Sequence, residues 1–377
     1  MSRLKILCID DDKHSLNATV RTLRRLRPEW VVSFYTDPAT AVAETTALTQ
    51  PDVVMSDMLM PNMRGDQVLN HFKSNHPSCI RALLTGDVNT KPYRLAHKYS
   101  HFVLAKPCID EDYIRLLECV EKLRQLPLNE DLQTKLGGVD LPILTESVRH
   151  LRQKLEKENS IEEIVEIVAG EPALTARIIQ VANSAYFGFR VPTTDLSESI
   201  IRIGSDNLLD ISLALLCEYK GSHLIDTDEH RIESERAFAV ACLSKAITKL
   251  MAFPVDIQND LFTSAILLSL GKMVNKHSFP ANDSIEFNQV CLVSTYLSTL
   301  WGLSSCVSDI LLRCDKYEKT TDRVSRLRNI LYISENIIDL DKKQVSEFLM
   351  KVEDVKLKKV AYKTFTLSKK QPLSSQR

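Results

Sequence analysis

The sequence lacks paired cysteines, long apolar runs and a strong net charge of either sign. Its nine cysteines include no CxxC pair, and they are scattered through apolar stretches. Such cysteines are typical of reduced thiols that pack as small hydrophobes, so we expect neither a disulfide framework nor a zinc site. The formal net charge of −1 provides no overall field that would attract nucleic acid.

Nothing in the sequence predicts a membrane segment or export. No apolar run approaches the length of a membrane span, and the first residues lead into a short apolar run without a signal-peptide core. We therefore expect a cytoplasmic protein. With 377 residues, the chain is too long for one ordinary core and long enough for two domains.

Short apolar runs alternate with helical patterns over the first third of the chain. Their length and their Val, Ile and Leu content are typical of fully buried parallel strands. Five strand–helix units of this size predict an α/β doubly wound five-stranded parallel sheet. The strand-like runs are Leu4–Ile9, Val31–Tyr35, Val53–Ser56, Ile80–Leu84 and Phe102–Ala105.

Polar side chains follow four of these runs. Asp10 and Asp11 come after the first run, Asp57 after the third, Thr85 after the fourth and Lys106 after the fifth. Because ligands bind at the carboxyl ends of parallel strands, we expect these side chains to converge on one rim. Two carboxylates at about 4 Å repel by roughly 4 kcal/mol at an effective dielectric of about 20, so three of them require a cation. Mg²⁺ satisfies carboxylate oxygens and brings phosphoryl groups with it.

The order of these motifs resembles the receiver domain of bacterial response regulators. The resemblance implies a flavodoxin-like fold over residues 1–126 in which Asp57 accepts a phosphoryl group. It also implies that Mg²⁺ is held by Asp10, Asp11, Asp57 and the backbone carbonyl of Leu59. Thr85 and Lys106 would then contact the phosphoryl group. The matching motifs are Ile6–Asp12, Asp57–Gly65, Leu84-Thr85-Gly86 and Lys106-Pro107.

One position departs from the receiver pattern. Val103 stands where the family usually has an aromatic switch residue, and Phe102, one step earlier, points to the opposite face of the strand. Whether Phe102 or Val103 takes part in the switch therefore stays open. We interpret His101, next to it, as a surface residue. The phosphoryl donor implied by the resemblance is a sensor histidine kinase or a phosphotransfer protein.

The second half of the chain has a different character. Residues 127–140 mix proline, glycine and charges, which predicts a linker. From residue 141 onward helical patterns follow one another, so residues 141–340 predict a separate all-α domain. The predicted helices are Glu146–Lys157, Ile161–Ala169, Pro172–Ala182, Leu196–Ile203, Asp206–Leu216, Ser234–Met251, Asp260–Val274, Asn288–Trp301, Ser304–Cys314, Ser325–Ile338 and Lys343–Val360.

This helical region resembles the HDOD output domain, which is related to the metal-dependent HD phosphohydrolases. The resemblance is carried by Glu171–Arg177, Ala182–Gly188 and Ser199–Gly204. In the stretch that corresponds to the paired His and Asp metal ligands of the enzymes, this chain has Leu268 and Ser269. A leucine cannot bind a metal, and serine is a poor substitute for a carboxylate. We expect a non-enzymatic domain that binds another protein or supports a homodimer.

Two alternatives stay open. The first is an HD-type metal-dependent phosphohydrolase acting on nucleotides or cyclic dinucleotides. The second is a nucleic-acid-binding regulator that uses the carboxyl end, residues 341–377, where Lys356–Arg377 contains seven basic residues and no acidic one. Our interpretation of that end is an amphipathic helix followed by a solvated, disordered tail, without a nucleic-acid or membrane role.

Overall fold

The structure, a computed structural model, describes residues 3–45, 50–86, 99–128, 130–137, 151, 154–155, 160–183, 189, 191–204, 208, 227–278, 286–300, 305–319 and 322–369. The chain divides into two units. The first comprises Met1–Asp140, Asn183–Val191 and Thr299–Gly302, and the second comprises Leu141–Ala182, Pro192–Ser298 and Leu303–Arg377. No helix in the described part of the chain is long and apolar enough to cross a membrane.

The first unit contains the predicted five-stranded parallel sheet, with strand order β2-β1-β3-β4-β5. Every residue of β3 and β4 is buried, which explains their continuous apolar sequence. The fold class predicted from the apolar runs is thus confirmed. The strands are β1 Lys5–Ile9, β2 Val31–Tyr35, β3 Val53–Asp57, β4 Ile80–Thr85 and β5 Phe102–Ala105.

The first two helices of the first unit begin at aspartates that cap them. Asp12 accepts a hydrogen bond from the backbone N–H of His14, and Asp37 accepts from Ala39 and Thr40. Pro38 occupies the first turn of its helix, where no N–H is needed. The helices are α1 Lys13–Leu26, α2 Pro38–Glu44, α3 Gly65–Asn75, α4 Asp110–Gln125 and α5 Glu130–Gly137.

The second unit contains helices and no strand among its described residues, which confirms the all-α prediction. The predicted helices Glu146–Lys157 and Asp206–Leu216 lie almost wholly outside the described residues. The observed helices are α6 Ile161–Ala169, α7 Pro172–Ala182, α8 Leu196–Ile203, α9 Thr227–Leu250, α10 Val255–Ser278, α11 Phe287–Leu300, α12 Ser305–Leu311, α13 Arg323–Ile337, α14 Lys342–Met350 and α15 Val355–Ser368.

The prediction for the carboxyl end was wrong in two respects. The single helix Lys343–Val360 is two helices, because Asp354 caps a new one by accepting from the N–H of Leu357. The tail predicted to be disordered from Lys356 onward is helical as far as Ser368. Leu357, Ala361, Thr364 and Phe365 are buried on one side of α15, and this burial stabilises a lysine-rich segment as a helix.

His101 was predicted to lie on the surface, and the structure shows that this is wrong. Its ring is buried against Arg81, which is itself 2% exposed on β4. The backbone N–H of Arg81 donates to Nδ1 of His101 at 3.1 Å, and Nη2 of Arg81 lies 2.7 Å from Nε2. Burial, together with the charge of Arg81, holds the pKa of His101 well below its ordinary value.

We expect the first unit to lose stability as the pH falls below 6.5, the ordinary pKa of histidine. In this range the unfolded ring takes a proton that the buried native ring does not. The free energy of unfolding should then decrease by up to about 1.4 kcal/mol per pH unit. Thermal unfolding at about pH 7 and about pH 5 measures this, with His101→Gln expected to weaken the dependence. The exposed-histidine control His14→Gln should behave as wild type, and an unchanged profile in His101→Gln would contradict the assignment.

Candidate functional site

Four neighbouring strand ends bring the predicted polar residues to one rim of the sheet. Asp10 follows β1, Asp57 is the last residue of β3, Thr85 is the last residue of β4, and Lys106 follows β5. Because β1, β3, β4 and β5 are consecutive in the sheet, these ends are adjacent. The convergence expected from parallel strands is therefore present for these four residues.

The ammonium group of Lys106 lies between two buried carboxylates. It donates to Oδ2 of Asp10 at 2.7 Å and also to Oδ1 of Asp57. The side chains of Asp10 and Asp57 are 3% and 11% exposed, and that of Lys106 is 24% exposed. One cation thus ties the ends of β1 and β3 to the residue that follows β5.

Backbone and hydroxyl donors fix the orientation of Asp10. The N–H of Asp12 donates to Oδ1 at 3.0 Å, and the hydroxyl of Ser15 donates to Oδ2 at 2.8 Å. Ser15 was not among the residues predicted for this site. The only indication in the sequence is its place in the first turn of the helix that follows the acidic residues.

The loop after β3 fixes Asp57 in a similar way. The N–H of Leu59 donates to Oδ2 of Asp57 at 2.7 Å, while the Leu59 side chain points outward and is largely exposed. Gly65 starts α3 directly against this strand end: a Cβ at this position would lie 2.1 Å from the carbonyl oxygen of Asp57. Only glycine permits this approach, which explains why the loop ends in Gly65.

Thr85 and Asp11 complete the set of predicted residues. Thr85 is buried, and its carbonyl oxygen accepts from the N–H of Lys106 at 2.8 Å. Asp11 is exposed, and its side chain makes no hydrogen bond or ion pair within the described residues. The structure therefore joins two of the three predicted carboxylates through Lys106 and leaves the third at the edge of the site.

The charges at this rim are unbalanced. Burial raises the pKa of Asp57, although Lys106 and the N–H of Leu59 act in the opposite direction. Burial would lower the pKa of Lys106, but its hydrogen bonds to Asp10 and Asp57 raise it above the ordinary value. When both carboxylates are ionised, one ammonium faces two negative charges. The rim then attracts a further cation.

The donor set at the rim fits Mg²⁺. In the described part of the chain, no group of three His, Cys, Asp or Glu side chains is arranged to hold a metal. Mg²⁺ does not need such a cage, because it usually keeps several waters and binds through one or two carboxylates and substrate phosphates. Asp10 and Asp57 provide two carboxylates of this kind, and the exposed Asp11 lies next to Asp10 in the chain.

The second unit presents a different arrangement at the positions compared with HD enzymes. Leu268 is fully buried, and the hydroxyl of Ser269 donates to the carbonyl oxygen of Ile266 at 2.7 Å. Close to them in the chain, Lys272 donates to Oε1 of Glu335 at 2.5 Å. Arg236 donates to the same oxygen at 2.6 Å, so that this carboxylate receives two cations.

A buried pair of one histidine and one glutamate lies elsewhere in the second unit. The helix predicted as Ser234–Met251, which contains no histidine, begins earlier, at Thr227, and therefore includes His230. Nε2 of His230 lies 3.0 Å and 3.1 Å from the two oxygens of Glu171, and both side chains are 1% exposed. His230 is thus a buried core residue that pairs with Glu171 through Nε2, while its Nδ1 has no hydrogen-bond partner among the described residues.

Comparison with known families adds to this geometry. Residues 6–118 match the response regulator receiver domain, and residues 141–289 match the HDOD domain. An uncharacterized protein of Treponema pallidum (strain Nichols) is 24% identical over 194 residues, which is 47% of this chain. The match spans only 37% of the length of that curated relative.

Two solved structures are also similar to parts of the chain. The signal receiver domain of an HD domain-containing protein from Pseudomonas fluorescens Pf-5 is 27% identical, covering 32% of this chain and 89% of that one, with a TM-score of 0.30. The MmoQ response regulator from Methylococcus capsulatus str. Bath is 17% identical, covering 60% and 94%, with a TM-score of 0.45.

Replacing Lys106 by Met should destabilise the first unit. Asp10 and Asp57 would then be buried without their shared counter-charge, a loss of about 3 kcal/mol in the free energy of unfolding. Urea unfolding with and without Mg²⁺ measures both the loss and the partial recovery expected from the added cation. Lys13→Met, at an exposed lysine of α1, is the control. A Lys106→Met protein with wild-type stability and no response to Mg²⁺ would contradict the shared-cation arrangement.

Proposed function

The chain consists of a response regulator receiver domain followed by an HDOD domain, and from this we propose that phosphorylation of Asp57 controls which protein the HDOD domain binds. The observation that supports this most directly is the fixed, buried Asp57 carboxylate beside Lys106 and Asp10. The phosphoryl donor would be a sensor histidine kinase or a phosphotransfer protein in the cytoplasm. Domain boundaries at residues 126, 140 and 340 remain part of this proposal.

The residues of the rim supply what phosphoryl transfer needs. A carboxylate is a weak nucleophile, so its orientation and the neutralisation of phosphate charge carry most of the catalysis. The N–H of Leu59 and the ammonium of Lys106 hold the two oxygens of Asp57. One of these oxygens forms the new bond to phosphorus while the bond to the donor breaks. Lys106 then neutralises the transferred oxygens.

Mg²⁺ would be held by Asp10, Asp11, Asp57 and the Leu59 carbonyl. When bound, it neutralises phosphate oxygens that the carboxylates would otherwise repel. Ser15 and the N–H of Asp12 keep Asp10 oriented toward the same site. The proposed ligand set is therefore supported from outside by groups that do not themselves bind the metal.

Phosphorylation would change the charge at the rim. An acyl phosphate adds a charge of about −1.5 to −2 and strong acceptor oxygens. Thr85 ends β4 next to Lys106, and in this proposal its hydroxyl bonds a phosphoryl oxygen. New bonds to Thr85 and Lys106 would favour a different position of β4 and β5. The unit then passes between two states, which a partner or a second copy of the chain can distinguish.

We propose that the HDOD domain itself is not catalytic. The carboxylate of Glu335 already receives Arg236 and Lys272, and Lys272 also lies 3.0 Å from Glu233. Arg236 also donates to Asp339 at 2.7 Å, so two protein cations are shared by three carboxylates, and Glu335 receives both cations. The neighbouring Leu268 provides no ligand, and the Ser269 hydroxyl donates to a backbone carbonyl. An HD-type phosphohydrolase would need a metal site that this cluster does not offer.

Acetyl phosphate with Mg²⁺ should add one phosphoryl group to the intact protein. We expect Asp57→Asn to abolish the addition, because it removes the nucleophilic oxygen. Asp66→Asn is the matched control, since Asp66 is another buried aspartate of the same unit and pairs with Arg64. Intact mass spectrometry measures the modification. Phosphorylation of Asp57→Asn at the wild-type level would exclude Asp57 as the acceptor.

The purified full-length protein should turn over neither cyclic dinucleotides nor nucleotides. Metal analysis is expected to show no stoichiometric iron or manganese, because Leu268 and Ser269 replace metal ligands. Hydrolysis assays with added Mn²⁺ or Fe²⁺ provide the second measurement. Stoichiometric metal together with turnover would instead establish the phosphohydrolase alternative.

A further inference from the structure

A buried arginine at the opposite end of the sheet holds the connector helix α5. Arg81, near the start of β4, donates through Nε to the carbonyl of Tyr99 at 2.7 Å and through Nη2 to that of Gly137 at 2.9 Å. Its Nη1 donates to the carbonyls of Pro77 and Cys79. A buried charge is tolerated only when its donors are satisfied in this way. The guanidinium therefore requires the end of α5 in this place.

The end of α5 fits this site only because it is glycine. A Cβ on Gly137 would lie 2.0 Å from the carbonyl oxygen of Pro77 and 3.2 Å from the Cα of Ser78. The preceding residue, Leu136, is also buried. The backbone of α5 thus rests directly on the turn that leads into β4. Any movement of that turn would displace the helix end.

His101 attaches the same cluster to β5. Its backbone N–H donates to the carbonyl of Arg81 at 2.7 Å, and its ring faces Arg81 through both nitrogens. A backbone N–H is always a donor, so Nδ1 can accept from Arg81 only when it carries no hydrogen, as in a neutral ring whose hydrogen is on Nε2. The neutral ring completes a cluster, the Arg81 clasp, which consists of Arg81, His101 and Gly137.

The clasp lies near the amino ends of β4 and β5, and Thr85 and Lys106 of the proposed site lie at their carboxyl ends. Arg81 and Thr85 are four residues apart on β4, a distance of about 13 Å along a strand. Between them β4 is hydrogen-bonded to β5 in register from Ala82–Phe102 to Thr85–Ala105. Densely packed, hydrogen-bonded strands transmit displacement rather than absorb it. Because Val103 stands in place of a switch aromatic, we take this ladder as the route between the two strand ends.

We propose that Arg81 couples the phosphorylation site to the connector: a shift of β4 and β5 on phosphorylation of Asp57 moves α5 through the Arg81 clasp. The inference rests on the proposed function of Asp57. Gly137 stands four residues before Leu141, where the HDOD match begins. The clasp therefore acts on the last described part of the chain before the output domain. Arg81 is a positioning residue and takes no part in phosphoryl transfer.

Hydrogen exchange of the α5 amides in the full-length protein tests this coupling. The protein is compared with and without Mg²⁺ and beryllofluoride, a stable mimic of the phosphoryl group. In wild type, the exchange rate over Glu130–Gly137 should change by a factor of about five or more. A factor of about five is the lower limit of typical coupling between two sites. Arg81→Met should lose this change while acetyl phosphate still modifies Asp57. Arg115→Met, at a partly exposed arginine of α4, should behave as wild type.

Gly137→Ala provides a second variant that leaves Arg81 in the core. It should speed exchange of the α5 amides both with and without beryllofluoride, and it should remove the difference between the two conditions. If Arg81→Met does not fold, this variant tests the coupling in its place. A wild-type response in folded Arg81→Met or Gly137→Ala would overturn the proposal. If wild type is modified at Asp57 but α5 is unchanged, the coupling alone fails. If Asp57 is never modified, the proposed function fails and the coupling with it.

Discussion

The ammonium of Lys106 bridges the carboxylates of Asp10 and Asp57, and the architecture of the rim depends on this bridge. It brings together the ends of strands that are far apart in the sequence, and it permits two acids to be buried side by side. One cation does not balance two carboxylates. The residual negative charge is the reason why this rim suits a divalent cation and a phosphoryl group.

The two units solve the problem of buried charge in opposite ways. In the first unit, the negative charge of Asp10 and Asp57 exceeds the positive charge of Lys106, and a bound cation can neutralise the excess. In the second unit, Glu335 receives both Arg236 and Lys272, so the protein itself supplies the positive charge. A carboxylate that already receives two protein cations attracts a further cation less strongly. This contrast distinguishes a first unit whose rim suits a bound cation from a second unit that we propose binds another protein.

Strands β4 and β5 link the chemistry of the first unit to its far end. Thr85 and Lys106 stand at their carboxyl ends, and Arg81 and His101 stand near their amino ends. The aromatic that commonly reports the state of this fold is replaced by the buried Val103. A ladder of backbone hydrogen bonds is a stiffer element than a rotating side chain. It suits a unit whose last helix, α5, is attached to the opposite end of the sheet.

The sequence by itself determined the five-stranded parallel sheet, the helical second unit and the rim residues, because period, strand length and strand-end chemistry are local properties. It did not reveal Ser15, the clasp of Arg81, His101 and Gly137, or the helix that begins after Asp354. Each of these depends on a partner distant in sequence or on burial against another element. Only the tertiary structure decided that His101 is buried and that Lys106 serves two carboxylates, because desolvation and shared hydrogen bonds arise only once the strands are assembled.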